Sequence, residues 1–98
     1  MIRITDHAIA RGCERHRWSR VLSLFRLRHA FEGGIKLPKR WAQRFARDGH
    51  GAHASRCRYV AWGPVMLVVH GRTVVTTWRL DNDQLADLLV RVLFKVWP

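Results

Sequence analysis

The stretch from Cys57 to Leu80, CRYVAWGPVMLVVHGRTVVTTWRL, constrains the fold of this chain more than any other segment. Three short runs rich in Val, Thr, Tyr and Trp are separated by Gly63-Pro64 and by His70-Gly71-Arg72, and β-branched and aromatic residues suit a pleated, half-buried surface. The pattern predicts a three-strand antiparallel meander. In the first run Arg56, Arg58, Val60 and Trp62 alternate with Cys57, Tyr59 and Ala61, whereas Val65-Met66-Leu67-Val68-Val69 is apolar throughout, so the middle strand should be the most buried. In the third run Val74, Thr76 and Trp78 fall on one face and Thr73, Val75 and Thr77 on the other. A one-residue slip exchanges those sets, so pattern alone does not say which threonine meets the core.

Helical patterns flank the meander. Met1-Ile2-Arg3-Ile4 alternates like a short edge strand, and Thr5 or Asp6 caps a helix over Asp6 to Arg17, on which His7, Arg11 and Arg15 share one face and Ile9, Cys13 and His16 another. Gly12 weakens that helix by about 1 kcal/mol relative to Ala, a cost that makes sense where a backbone comes close. From Trp18, capped by Ser19, the residues Val21, Leu22, Leu24, Phe25, Leu27 and Phe31 recur at helical spacing up to Gly33-Gly34, where a left-handed cap is expected. Pro38 then opens a third helix over Lys39 to Arg47, followed by a polar loop over residues 48–55. Asp81 or Asn82 caps a final helix whose stripe of Leu85, Leu88, Leu89, Val92, Leu93 and Val96 should cover one face of the sheet. The fold class expected is α+β: an antiparallel meander of three or four strands with N-terminal helices and a C-terminal helix packed on it.

The chain's 98 residues suit one domain with a core of its own. No run approaches the roughly 18–20 apolar residues of a membrane span. Residues 1–20 are charged throughout and carry no apolar signal segment, which leads to the expectation of a cytoplasmic protein with Cys13 and Cys57 as free thiols. The formal net charge of +11 is unevenly placed, because Asp81, Asp83 and Asp87 outnumber Arg91 and Lys95 in the last helix and tail. Upstream, the field favours polyanions, and arginine with interleaved tryptophan favours nucleic acid among them.

Two groups of residues carry candidate chemistry. His7, Arg11 and Arg15 on one helix face, with Arg58 and the hydroxyls of Tyr59 and Thr76 on the sheet, offer a proton-transfer group, phosphate clamps and substrate-orienting groups for metal-independent RNA cleavage. Arg40, Arg44, Arg47 and Arg56 extend the nucleic-acid-binding surface. His50, His53 and Cys57, with Cys13 or His16 as a fourth ligand, have the residue types for zinc, but the spacing is not that of a standard finger, and no cofactor is expected. The plainer alternatives stand beside these: threonines serve β propensity, arginines four apart form a solvated face, and tryptophans fill cores.

The segments Ile4-Thr5-Asp6-His7-Ala8-Ile9-Ala10-Arg11 with Glu14-Arg15, and Arg58-Tyr59 with Val68-Val69-His70-Gly71-Arg72-Thr73-Val74-Val75-Thr76, resemble a family of small bacterial and phage domains. That family is grouped with RelE-like and BrnT-like toxins in the barnase–EndoU–colicin–RelE ribonuclease class. The resemblance covers about a third of the chain. It implies a twisted antiparallel sheet with N-terminal helices, a metal-independent RNase site on the sheet's open face using His7, Arg11, Tyr59 and Thr76, and an acidic antitoxin as partner. The long, helical, Arg-rich segment 18–56 departs from the family's short connection. The leading expectation is therefore a toxin-type endoribonuclease acting on RNA. The competing one is a non-catalytic basic module, either a nucleic-acid binder (stacking on Trp18, Trp41, Trp62, Trp78 or Trp97, or reading a duplex through the 39–47 helix) or a phage-type protein that occupies an acidic host protein.

Overall fold

In the computed structural model, which describes residues 2–37 and 57–94 with side chains through Val92, the meander forms where the alternation places it. Strands β3 (Arg58–Trp62), β4 (Val65–His70) and β5 (Thr73–Arg79) pair antiparallel in sequence order. Both hairpins turn in two residues, with Gly63 (φ +56°) and Gly71 (φ +63°) at the first turn position, where a positive φ matches the twist of the strands. The sheet is wider than the meander and is mixed. β1 (Arg3–Ile4) joins parallel to β5, and β2 (Ile35–Lys36) joins antiparallel to β3, giving the order β1-β5-β4-β3-β2. The purely antiparallel expectation is corrected by β1, whose chain must pass through two helices before it returns to the sheet.

Helices cover both faces. α1 (Asp6–His16) and α2 (Arg20–Gly33) lie on one side, where Ala8, Leu27 and Ala30 pack against Val60, Val65, Leu67, Val69 and Val74. α3 (Asn82–Phe94) lies on the other, where Leu85, Leu88 and Val92 meet Tyr59, Ala61, Met66, Val68 and Trp78. Because both faces are buried, β4 needs no polar side: Met66, Leu67, Val68 and Val69 are fully buried. Thr5 caps α1 through its hydroxyl, Ser19 caps α2, and Asp81 and Gln84 exchange reciprocal backbone–side-chain bonds at the start of α3.

One irregularity decides which side chains face which layer. Val69 pairs with Val74 but Val68 pairs with Thr76, so Val75 is an extra, bulged residue in β5. Val74 and Thr77 therefore face the α1–α2 layer, while Thr76 and Trp78 face α3. The simple alternation expected for this strand, with Val74, Thr76 and Trp78 on one face, fails at Val75.

The helices also depart from their patterns. In α2 the apolar residues wind around the helix, and it is Ser23, Leu27 and Ala30 that are buried, leaving Val21 and Phe25 about two-thirds exposed at 67% and 64%. Ser23 takes a buried position because α1 approaches closely there: a Cβ at Gly12 would sit 2.9 Å from Ser23 Oγ. Gly34 ends α2 for a related reason. Its φ of −78° is open to any residue, which corrects the expected left-handed cap, but a Cβ there would sit 2.5 Å from Val60 Cγ1 and 2.9 Å from Ala61 O. The expected helix over 39–47, the loop 48–55 and the tail beyond Phe94 lie outside the described residues.

The two adjacent glycines should therefore respond oppositely to alanine. Gly34→Ala should cost about 2–4 kcal/mol because backbone and a core valine must shift. Gly33→Ala, where an added methyl meets nothing within 4 Å, should be neutral or stabilise by up to about 1 kcal/mol. Urea unfolding of the two variants checks both signs.

Candidate functional site

The residues named from the sequence as a catalytic set occupy both layers. His7 is exposed on α1, and Arg11 on the same helix pairs with Glu14. Thr76 (5% exposed) and Tyr59 (3% exposed) lie across the sheet, beneath α3. Tyr59 Oη is buried with no hydrogen-bond partner among the described residues, its ring meets Trp78 edge-on, and burial together with the neighbouring Cys57 raises its pKa. The sheet face expected to be open is covered, so the imidazole of His7 and the hydroxyls of Tyr59 and Thr76 do not share a hollow.

The expected phosphate clamps are also dispersed. Arg15 donates from Nη1 to Thr77 O at 2.8 Å, and Arg58 donates to Gly71 O at the far hairpin. Those two carbonyls lie six positions apart, one in the turn before β5 and one near its end, roughly 15–20 Å. The Arg15 bond has a structural use. β1 ends at Ile4, so the outer edge of β5 runs on without a strand, and α1 satisfies it instead: Thr5 Oγ1 donates to Val75 O at 3.0 Å and Arg15 to Thr77 O. Arg40, Arg44, Arg47 and Arg56, and the zinc candidates His50 and His53, lie outside the described residues. Among the described residues no group of three His, Cys, Asp or Glu side chains is placed to hold a metal, and burial raises the pKa of the Cys57 thiol.

The histidine that does meet a strand threonine is His16, and the threonine is Thr77. Thr77 Oγ1 donates to Met66 O at 2.8 Å, so its hydrogen is committed, and the contact of 3.1 Å with His16 Nε2 requires the ring nitrogen to donate. That fixes the neutral Nε2–H tautomer and leaves Nδ1 as an acceptor. Burial, then the charges of Arg79 and Arg15, lower the pKa of His16 to about 4.

Around His16 the chain builds a cleft. α1 ends at Arg17, a non-glycine residue in the left-handed conformation (φ +57°), and the reversal stacks the rings of His16 and Trp18 at 4.4 Å and 22°. From α2, the guanidinium of Arg26 lies over Trp18, 5.6 Å from the ring centroid. Trp62, Gly63, Pro64 and Val65 from the β3–β4 hairpin and Arg79 from the end of β5 complete the walls of a space of about 380 Å³. Two cations, two indoles and a neutral imidazole thus surround one opening. The sequence offers Trp18 and Trp62 as stacking candidates and His16 as a spare zinc ligand, but not their meeting at one cleft. The signals that could have singled them out are the His-x-Trp spacing at a helix end that lacks glycine and the Gly-Pro turn after Trp62.

His16 also sets a pH dependence. Its folded pKa is below the ordinary value of 6.5, so the unfolded chain binds more protons, and stability is lost as pH falls from about 6.5 toward about 4. With solvent screening at this half-buried ring the loss should be about 1–2 kcal/mol. His16→Gln, which keeps a donor for Thr77, should flatten the pH dependence of thermal unfolding in that window relative to the unsubstituted protein. An unchanged slope would show that another group sets it. No family model, curated protein or solved structure matches the chain.

Proposed function

We propose that this chain is a basic, non-catalytic module that binds nucleic acid through its α1–α2 layer. The observation that carries the reading is the separation of charge between the two helical layers. The α1–α2 layer bears Arg11, Arg15, Arg17, Arg20, Arg26 and Arg28 against Asp6, Glu14 and Glu32, whereas α3 and its cap bear Asp81, Asp83 and Asp87 against Arg91 among the described residues. Arg17, Arg20, Arg26 and Arg28 are exposed, and Arg26 lines the cleft. A one-sided cationic surface suits the repeating charge of a phosphate backbone, and arginine suits phosphate geometry.

The ribonuclease reading needs a proton-transfer group and phosphate clamps gathered on one accessible surface. His7 and Arg11 stand on one layer and Tyr59 and Thr76 under the other, so the geometry favours the binding reading over it. RNA should remain intact in the presence of purified protein, with or without His7→Ala.

The test is fluorescence anisotropy with a labelled single-stranded RNA between 50 and 200 mM salt. With about four to six phosphate contacts, log Kd should change against log salt with a slope of magnitude about 3–4. Replacing Arg20 and Arg28 together by Glu should weaken binding at least tenfold, while Asp83→Lys on the opposite layer should not. Salt-insensitive binding, no binding, or RNA cleavage that is lost in His7→Ala would each overturn the proposal.

A further inference from the structure

We propose that the cleft between the end of α1, α2 and the β3–β4 hairpin is a subsite for one unpaired nucleotide, its base lying against the indole walls and its phosphate at Arg26 and Arg79. The inference rests on the binding reading above and goes further, because it makes the ligand single-stranded. Three features of the cleft select that chemistry over a bare polyanion.

The first is the walls. Trp18, Trp62 and Pro64 line the cleft beside cations, and a planar ring attached to an anion fits both. The second is size: about 380 Å³ lies at the small end of pockets that enclose organic ligands, enough for one nucleotide and too confined for a duplex. The third is preorganisation. Arg26 is already held over Trp18, and His16, kept neutral by burial and by the charges of Arg79 and Arg15, commits Nε2–H to Thr77 and leaves Nδ1 as an acceptor for a base N–H or a ribose hydroxyl. A duplex hides its base faces in the stack, so only an unpaired base can use such walls.

The experiment uses the intact protein and uridine 5′-monophosphate, with ribose 5-phosphate and inorganic phosphate as probes that lack the base. Addition of the nucleotide should move the indole N–H resonances of Trp18 and Trp62, and ribose 5-phosphate and phosphate should bind about tenfold more weakly or not at all. In a single-stranded oligonucleotide, Trp18→Leu should cost roughly 5- to 100-fold in affinity, the range for loss of one stacked base. Arg26→Gln, at an exposed side chain, tests the phosphate contact without disturbing the core, and should weaken the nucleotide at least threefold.

If single-stranded RNA binds with steep salt dependence while uridine monophosphate leaves both indoles unmoved, the subsite is wrong and the binding surface stands. Equal affinity for duplex and single strand, or equal affinity of nucleotide and ribose 5-phosphate, has the same meaning. If no nucleic acid binds at all, the subsite and the function fall together.

Discussion

Thr77 is the residue through which the first helix, the sheet and the cleft are joined. Its hydroxyl gives its proton to Met66 O and receives one from His16 Nε2, while its carbonyl receives Arg15. All three partners of this fully buried residue are supplied by the fold, so a polar side chain in the apolar layer carries no unsatisfied group. The last turn of α1 is thereby tied to the centre of the sheet. Were Thr77 turned to the other face, the outer edge of β5 and the imidazole would both lose their partner. The bulge at Val75 prevents this by spending one residue without a pairing partner, so that Val74 and Thr77 reach the same side.

That bulge also explains how the sequence could be read correctly for the meander and wrongly for the site. The three strands follow from composition and turn residues, because β-branched runs between Gly63-Pro64 and Gly71-Arg72 have few other ways to bury themselves. The caps at Thr5, Ser19 and Asp81 were legible for the same reason, since each is a local hydrogen bond written within four residues. Which threonine faces which layer is not local. It depends on a register shift set by β4 and β1 together, and the alternation of Val74, Thr76 and Trp78 looks unbroken until that shift is known. The short edge strands were partly visible: Arg3-Ile4 alternates, but Ile35-Lys36 has no pattern of its own and exists because Gly34 lets the chain lie against Val60 and Ala61. The apolar set of α2 misled in another way, because close approach at Gly12 placed Ser23, a small residue, at the helix interface.

The position of the cleft follows from the layering. α1 and α2 share one face of the sheet, so the connection between them must cross one end of it, and there it meets the β3–β4 hairpin and the last residue of β5. Arg17 takes the left-handed conformation that glycine would adopt at lower cost, which places a cation at the turn while His16 and Trp18, its sequence neighbours, stack on each other. Both sequence neighbours thereby reach one opening.

The charges around that opening act on each other as well as on a ligand. Burial, then the charges of Arg79 and Arg15, hold His16 neutral, and a neutral ring in turn keeps the cluster from accumulating a third positive charge where water is partly excluded. Arg15 is committed to a backbone carbonyl, whereas Arg26 rests on an aromatic face and Arg79 is exposed at a strand end, so the latter two can turn toward an anion at small cost.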